Sequence, residues 1–405
     1  MIYRELEKKL ISSAKQIPVV AILGPRQSGK TTLAKSVFKK HNYVSLENLD
    51  IRNAAKEDPY KFLESNIGKH GVILDEIQNA PELFSYIQTH VDTEDWQRLT
   101  GSKTYEDING KFIITGSQNF LVNESITQTL AGRIYIHTLL PLSISELKNS
   151  SLLPENLNSV IFKGGYPRIF SEKVELESWI PTYIRTYIER DVRQLKNISN
   201  LSLFQDFIKL CAGRIGQVLN ITSLSDDCGI STTTLNSWIS ILEASYVIFK
   251  LKPYYKNFSK RLIKSPKIYF YDTALACNLL EIKSPEQIYS HYLRGGLFEN
   301  LILSEIHKQY FNNGLLPNTY FWRDKTGNEI DCLIDTAKKP IPIEIKGSKT
   351  PASKFFDTIQ YWYDLSGSKE KDGIVIYAGD QNQKRTHGQI ISWNSVDKII
   401  KKFMQ

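Results

Sequence analysis

The stretch IPVVAILGPRQSGKTT at residues 17–32 decides the fold of the N-terminal part of the chain. Its apolar run at residues 19–23 predicts a buried strand, and the segment that follows Lys30, TTLAKSVFKK, predicts a helix. Between them, residues 24–31 fit the pattern G-x-x-x-x-G-K-[ST] at every fixed position. A strand, a glycine loop and a helix in this order predict a phosphate-binding loop.

The residue types in this loop fit a nucleoside triphosphate with its metal ion. Glycines allow backbone N–H groups to turn inward around phosphate oxygens, and the helix N-terminus adds partial positive charge. Lys30 is expected to reach the outer phosphates, and Thr31 to bind Mg²⁺. ATP and Mg²⁺ are therefore the predicted cofactors. The residues predicted to contact the nucleotide are Gly24, Pro25, Arg26, Gln27, Ser28, Gly29, Lys30, Thr31 and Thr32.

A second apolar run, at residues 72–74, ends in the acidic pair Asp75 and Glu76. In a nucleotide-hydrolysing sheet, an aspartate at this place holds Mg²⁺ through water, and the next glutamate polarises the attacking water. We therefore predict Asp75 as a metal ligand with Thr31, and Glu76 as a catalytic residue with Lys30. An apolar strand ending in Asp-Glu is common by itself, and only the phosphate-binding loop before it gives the pair this meaning.

Two further polar positions are candidates for the same site. After the apolar run KFIIT, either Ser117 or Asn119 is positioned to sense the γ-phosphate or to place water, and the sequence does not choose between them. A turn that merely uses small polar residues explains them equally well. Arg133 is predicted as an arginine finger that acts on the nucleotide of a neighbouring subunit, which requires a homo-oligomer. A surface arginine at the start of a strand is the alternative.

Composition limits the class of protein. A chain of 405 residues predicts two or three domains, and 41% hydrophobic with 23% charged residues is typical of globular proteins. The net charge of +8 permits an anionic partner such as nucleic acid without requiring one. No apolar run is long enough for a membrane span, and no secretory signal core is present. The four cysteines are scattered without a C-x-x-C pair, which argues against zinc and favours a cytoplasmic protein.

The pattern along the chain predicts three domains in an α/β protein. Over residues 1–145, strands alternate with helices, which predicts a parallel sheet covered on both faces. The polar stretch at residues 95–110 is interpreted as a loop insertion. Residues 146–285 are predicted as a helical region, and residues 286–405 as a further α/β unit that starts with a helix.

Residues 221–243 in the middle region predict a winged helix-turn-helix. Thr222 or Ser223 is expected to cap the first helix, and Ser231 the second. The second helix, STTTLNSWISILEAS, begins with hydroxyl residues that can bond phosphates or base edges, and the next segment is a basic, aromatic wing. This favours DNA binding. Because no lysine or arginine lies at the start of the second helix, a protein contact is the alternative.

Four residues near the C-terminus have the order of a metal-dependent nuclease core. They are Glu299 on a helix, Asp331 on a strand, and Glu344 with Lys346 on one face of the strand IPIEIKG. Such carboxylates bind a hard cation, here a second Mg²⁺ or Mn²⁺, which activates water against a phosphodiester while the lysine holds the nucleophile or phosphate. Gln360 is predicted to assist. The alternative is an inherited salt-bridge network, and Glu329 is interpreted as a surface residue.

Taken together, these motifs resemble a known family over nearly the whole chain. The family is the AAA-type P-loop ATPases of bacteria and archaea with a C-terminal restriction-endonuclease-like domain of uncharacterised function. The segments behind the resemblance are GPRQSGKTTL, VILDEIQNAPELF, FIITGSQNFL, LAGRIYIHTLLPLS, GGYPRIF, YIRTYIERDVRQL, SPKIYFYDTALA, GGLFENLILSEI, YFWRDKTGNEIDCLI and IPIEIKGS. The resemblance implies a P-loop NTPase fold, ATP binding and hydrolysis, but no settled biological role.

The predicted function follows from these parts. We expect a magnesium-dependent ATPase whose nucleotide state is coupled to a winged-helix and nuclease-like C-terminal half, with nucleic acid as its client. One alternative is an ATP-dependent nuclease that cuts DNA or RNA at the C-terminal site. The other is a nucleotide-gated scaffold that grips DNA or a protein client without cutting.

Overall fold

The computed structural model describes most of the chain. The described residues are 2–99, 108–117, 129–172, 174–188, 201–254, 264–336, 338–368, 370 and 372–404. Asn119 and residues 255–263 of the segment predicted as a wing lie outside them. The stretch predicted as a loop insertion is helical up to Leu99, and residues 100–107 also lie outside the described part. No helix in these ranges is both long and apolar enough to cross a membrane.

The N-terminal part contains a five-stranded parallel sheet in the order β2-β3-β4-β1-β5. This confirms the predicted parallel sheet. Because β1 lies between β4 and β5, the loop that follows β1 emerges from the interior of the sheet, beside the ends of β3 and β4. The strands are β1 Val19–Leu23, β2 Asn42–Ser45, β3 Val72–Asp75, β4 Phe112–Gly116 and β5 Ile134–Thr138.

Helices cover both faces of this sheet. Val20 and Ile22 of β1 lie in one apolar cluster with residues of the first two helices, whereas Val19, Ala21 and Leu23 lie in another. Burial on both faces explains why β1 is an unbroken apolar run rather than an alternating one. The helices are α1 Glu7–Ala14, α2 Lys30–Val37, α3 Leu49–Glu57, α4 Pro59–Asn66 and α5 Leu83–Leu99.

The middle region is mostly helical. Its described elements are α6 Ile144–Asn149, α7 Leu157–Lys163, α8 Pro167–Ser171, α9 Leu176–Tyr183, a π-helical turn at Ile184–Ile188, α10 Leu201–Ala212, α11 Ile221–Cys228, α12 Thr232–Ala244, β6 Ile248–Pro253, β7 Lys267–Phe270, α13 Thr273–Leu279 and α14 Pro285–Ser290.

Helices α11 and α12 form a helix-turn-helix. Gly229, with a φ of 64°, ends α11, and the side chain of Ser231 caps α12 by accepting the Thr234 N–H. The prediction that Thr222 or Ser223 caps α11 is wrong. Asn220 is the cap, and its side-chain oxygen accepts the Ser223 N–H at 3.1 Å.

The C-terminal part is built on a mixed eight-stranded sheet in the order β12-β13-β11-β10-β9-β8-β6-β7. Strand β6, which lies in the segment predicted as a wing, is part of this sheet, because it pairs with β8 in parallel and with β7 at the sheet edge. The remaining elements are α15 Arg294–Asn312, β8 Thr319–Arg323, β9 Glu329–Asp335, β10 Pro340–Lys346, α16 Asp357–Ser366, β11 Gly373–Tyr377, β12 Gln383–Arg385, β13 Gly388–Ser392 and α17 Val396–Phe403.

Helix α15 is buried along most of its length. Its buried polar residues fasten it to the segment that leaves the N-terminal sheet. Glu305 accepts the Ile144 N–H at 2.7 Å, and Lys308 donates to the Leu142 carbonyl at 3.0 Å. Polar groups at such depth require partners of this kind. Helix α15 is thus joined directly to the segment that follows the N-terminal sheet.

Candidate functional site

The loop between β1 and α2 has the backbone that its glycines predict. Gly24 has a φ of 151°, and a Cβ there would lie 2.2 Å from the Leu139 carbonyl oxygen, so only glycine fits. Gly29 begins α2 with a φ of 93°. The chain therefore turns tightly from the sheet into the helix and leaves the loop in front of the α2 N-terminus.

Lys30 lies inside this loop and is 4% exposed. Its ammonium donates to the carbonyls of Gly24 at 3.1 Å and Pro25 at 2.9 Å. The hydroxyl of Ser28 is also buried, and it has no hydrogen-bond partner among the described residues. Buried polar groups without a partner are uncommon and call for a ligand. An anion held in the loop would supply one.

Thr31 and Asp75 are in contact where the loop meets β3. The Thr31 hydroxyl donates to the two carboxylate oxygens of Asp75 at 2.8 and 3.1 Å. Tyr43 donates to the same carboxylate at 2.8 Å, and the Thr115 hydroxyl donates to it as well. Burial and the bond to Asp75 raise the pKa of Tyr43 to about 12, so it remains a donor. A hydroxyl and a carboxylate are oxygen ligands that suit Mg²⁺.

Glu76 follows β3 in a left-handed conformation, with φ 56° and ψ 50°. For a residue other than glycine this costs roughly 1–3 kcal/mol and is typical of functional positions. Its carboxylate accepts from the Ser117 hydroxyl at 2.8 Å and from the Gln78 amide. Burial by itself raises the pKa of Glu76, but the charge of Lys30 and these hydrogen bonds outweigh it and lower the pKa below its usual value. Glu76 is therefore a fixed, ionised carboxylate.

Arg133 lies at the opposite edge of the same sheet. It immediately precedes β5, and its carbonyl accepts the N–H of Val19 at the start of β1. The phosphate-binding loop begins at the other end of β1, roughly 16 Å away for a five-residue strand. The guanidinium pairs with Asp92 of α5. The structure does not bring Arg133 to the loop of its own chain, and a role on a neighbouring subunit stays a prediction.

A cavity of about 170 Å³ lies beside the loop. Its walls come from the N-terminal segment, the start of α2, the segment after β5 and helix α8. Most of the walls are apolar. The lining residues are Ile2, Arg4, Gly29, Thr32, Leu33, Leu142, Pro167 and Ser171.

Arg4 connects this region to the rest of the molecule. Its guanidinium donates to the carbonyls of Ser28 and Leu140, each at 2.6 Å, and pairs with Glu146 at 3.0 Å. Both charged groups are buried, with side-chain exposures of 6% and 0%. Glu146 also accepts the Ser143 N–H in the cap of α6, which reaches α15 through Glu305. A continuous chain of hydrogen bonds thus runs from the phosphate-binding loop to α15.

A second cluster of charges lies where α15 meets the edge of the C-terminal sheet. Carboxylate oxygens of Glu299, Glu329 and Asp331 lie within 4.8 Å of one another. The Lys267 ammonium is 3.2 Å from Glu299 and also contacts Glu329, and the Tyr269 hydroxyl donates to Glu299. The interpretation of Glu329 as a surface residue is wrong, because its side chain is only 20% exposed within this cluster.

Glu344 and Lys346 adjoin the same cluster. The Lys346 ammonium contacts Glu344 and lies 3.9 Å from Asp331, which accepts the Ile345 N–H at 2.7 Å. Glu344 is 1% exposed, and its Oε1 atom has no hydrogen-bond partner among the described residues. The structure therefore brings together all four residues predicted for this site. Gln360, predicted to assist them, donates instead to Asp364 on its own helix.

The charges of this cluster are not balanced. Burial raises the pKa of Glu299 to about 7, with a further contribution from Asp331, although Lys267 opposes the shift. Burial and Asp331 likewise raise the pKa of Glu344 well above its usual value, and Lys346 offsets only part of this. For Lys267, burial lowers the pKa, but Glu299 and Glu329 outweigh it and raise the pKa above its usual value. The carboxylates thus exceed their positive partners.

Comparison with known proteins divides the chain into three matched regions. Residues 16–148 match the family described as AAA domain. Residues 154–286 and 294–396 match two domains of unknown function, DUF8612 and DUF4143.

Individual proteins are similar over most of the chain. An uncharacterised protein of Mycobacterium tuberculosis is 27% identical over 353 residues, or 86% of this chain and 75% of the relative. An uncharacterised protein of Methanocaldococcus jannaschii is 25% identical over 318 residues, 66% of this chain and 63% of the relative. Among solved structures, the Walker-type ATPase of Pyrococcus abyssi superposes with a TM-score of 0.46 and 16% identity, over 69% of this chain and 96% of that one. Residues 16–148 are thus similar to AAA domains, and the loop within them has the backbone geometry of a phosphate-binding loop.

Proposed function

We propose that this protein binds ATP with Mg²⁺ at the loop of residues 24–31 and hydrolyses it. The observation that carries the proposal is the contact between Thr31 and Asp75, with Glu76 next in the chain. Thr31 lies in the first turn of α2 and Asp75 at the end of β3, and they meet beside the glycine loop. Together they supply a hydroxyl and a carboxylate for Mg²⁺ and an ionised base for water.

Each residue of the loop has a distinct part in binding. The backbone N–H groups at the start of α2 face an anion, and Lys30 exchanges its contacts with the Gly24 and Pro25 carbonyls for phosphate oxygens. Thr31 and Asp75 hold Mg²⁺, which offsets the charge of the phosphates when it is bound. The unpartnered Ser28 hydroxyl then gains an acceptor.

Glu76 acts on water in this proposal. Its left-handed backbone and its bonds from Ser117 and Gln78 fix the carboxylate in one orientation. A fixed carboxylate accepts a proton from water as that water attacks phosphorus. Ser117 orients Glu76 and is a positioning residue for this step.

The cavity beside Thr32 suits the base of the nucleotide. Leu33, Leu142 and Pro167 offer apolar walls for a flat ring, and Ser171 offers a hydroxyl. The same cavity includes Arg4, whose guanidinium reaches the loop carbonyl of Ser28 and the α6 carboxylate of Glu146. Filling the cavity therefore acts on the hydrogen bonds that lead to α15, which couples nucleotide state to the C-terminal half.

We propose that nucleic acid is the client of this ATPase. The chain has a net charge of +8, and the start of α12 exposes Ser231, Thr232 and Thr233. Exposed hydroxyls at a helix N-terminus bond phosphates and base edges. An oligomer, in which Arg133 of one copy serves the next, is consistent with the position of that residue at the far edge of the sheet.

Phosphate release from ATP tests both parts of the proposal. We expect turnover in Mg²⁺, none in EDTA, and at least a threefold rise in kcat with single-stranded DNA, double-stranded DNA or RNA. The nucleic acid that stimulates turnover identifies the client class. If nucleic acid does not change the rate of turnover, the proposed ATPase activity is retained, and nucleic acid is excluded as the client. Absence of turnover by folded protein, with and without nucleic acid, would contradict the ATPase itself.

A second proposed activity is metal-dependent cleavage of a phosphodiester at the C-terminal cluster. The observation that favours it is Glu344, whose buried Oε1 atom has no hydrogen-bond partner among the described residues and whose pKa is raised by burial and by the charge of Asp331. Three carboxylates from two elements lie close enough to share one cation. Mg²⁺ or Mn²⁺ there would be held by carboxylate oxygens, while Lys346 faces the phosphate or the nucleophile.

Cleavage of labelled DNA and RNA in Mn²⁺ tests this second activity. Lys346→Ala is expected to lower the cleavage rate at least about 100-fold, because it removes the charged donor nearest to Asp331 and Glu344. Lys349→Ala is the matched control, since Lys349 is exposed three residues further along. Equal rates in wild type and Lys346→Ala would exclude the nuclease role, and binding without cleavage would favour the scaffold.

A further inference from the structure

We propose that Lys267 is a built-in cation of the C-terminal cluster, and that its ammonium keeps divalent metal out until β7 shifts. This inference concerns regulation and rests on the proposed metal-dependent activity of the same cluster. The Lys267 ammonium is 3.2 Å from Glu299 and in contact with Glu329. It thereby uses oxygen lone pairs that a metal ion shared by Glu299, Glu329 and Asp331 would need.

Lys267 is buried within the cluster. Its side chain is 2% exposed, and its ammonium lies 5.5 Å from the centre of the Phe321 ring. Removing an ammonium from water costs several kcal/mol unless carboxylates or similar groups receive it. Here two carboxylates receive it, so the lysine is a fixed part of the cluster rather than a surface group that water could release.

The charges nevertheless leave room for a stronger cation. Glu299, Glu329, Asp331 and Glu344 contribute four carboxylates, against the ammonium groups of Lys267 and Lys346. Arg323 adds a partly exposed guanidinium 3.4 Å from Glu329. The buried Oε1 atom of Glu344 has no hydrogen-bond partner among the described residues, so these three cations leave a carboxylate oxygen of the cluster unsatisfied. A divalent ion in place of the Lys267 ammonium would match the carboxylates better, so metal and lysine compete for one position.

The backbone around Lys267 links this competition to the helix-turn-helix. Lys267 pairs with Leu251 of β6 on one side and forms an isolated bridge with Val218 on the other. The Leu219 N–H donates to the carbonyl of Pro266 at 2.8 Å, and Asn220, the next residue, caps α11. A ligand that moves α11 therefore pulls on the strand that carries the lysine. Occupation of the helix-turn-helix would in this way open the cluster to metal.

Binding of Mn²⁺ to the full-length protein tests this inference, with free Mn²⁺ measured by electron paramagnetic resonance in the absence of nucleotide. Lys267→Met removes the charge and keeps the length of the side chain, whereas Lys267→Arg keeps the charge. We expect Lys267→Met to bind one Mn²⁺ at this cluster with a Kd at least tenfold lower than that of wild type. Lys267→Arg should bind Mn²⁺ with the affinity of wild type. Adding Asp331→Asn to each protein identifies the share of binding that belongs to this cluster.

The outcomes separate the two proposals. If Asp331→Asn abolishes Mn²⁺ binding, but wild type and Lys267→Met bind Mn²⁺ equally tightly, the proposed role of Lys267 is overturned. The proposed metal site is then retained. Absence of binding that depends on Asp331 in both folded proteins would overturn the metal site and, with it, this inference. If Lys267→Met does not fold, Lys267→Met/Glu329→Gln removes one charge of each sign. It should then bind Mn²⁺ at least tenfold more tightly than Glu329→Gln alone, and equal affinity would overturn the inference.

Discussion

Glu76→Gln is expected to lower kcat for ATP hydrolysis by at least about 100-fold and to leave the Kd for ATP within about threefold of wild type. Glutamine has the same shape and can still accept the Ser117 hydroxyl, so the loop and the Thr31–Asp75 contact remain in place. An amide cannot take a proton from water, however. Steady-state phosphate release and nucleotide binding, measured on the same preparation, check both halves of this expectation.

Two further variants test whether the effect is specific to the Glu76 carboxylate. Glu82→Gln changes an exposed glutamate six residues further along and should turn over as wild type. Ser117→Ala removes one hydrogen bond from Glu76 and leaves the carboxylate, so we expect a smaller loss, about threefold to thirtyfold. If Glu76→Gln and wild type hydrolyse ATP at the same rate, Glu76 is not the base, and another carboxylate must act on water.

The sequence predicts the nucleotide-binding part well because its signals are local. An apolar run, glycines at fixed spacing and a helix-forming segment follow one another within residues 17–40, and each depends only on near neighbours. Asp75 and Glu76 could be found in the same way, since they end the next apolar run that leads to this edge of the sheet. The structure adds the conformation of Glu76, which no pattern of residue types indicates.

The groups that hold these residues in place could not be found from the sequence. Tyr43 and Thr115 bind Asp75 from two other strands, and Arg4 reaches the loop from before the first helix. Gln78 donates to Glu76 from the short helical turn Ile77–Asn79, and the sequence of this turn does not indicate that contact. Such contacts depend on the order of strands in the sheet and on the path of the chain, and a single sequence shows neither.

The C-terminal cluster shows the same limit more clearly. The alternation in IPIEIKG places Glu344 and Lys346 on one face, and Asp331 on the adjacent strand faces them, as predicted. Lys267 comes from β7, 32 residues before Glu299, and the sequence does not indicate that β7 forms the edge of this sheet. The contact between Glu329 and Lys267 joins residues 62 positions apart, so the sequence alone does not indicate it.

Lys30→Ala is the second change with a large expected effect, and it tests the central claim most directly when MgATP binding is measured by isothermal titration calorimetry. We expect wild type to bind one MgATP per chain, and Lys30→Ala to weaken binding at least about 100-fold, because charged hydrogen bonds to phosphate contribute about 1.5–3 kcal/mol each. Lys39→Ala, at an exposed position two residues after the same helix, should bind as wild type. Folded wild-type protein that gives no heat with millimolar ATP or ADP would contradict the account.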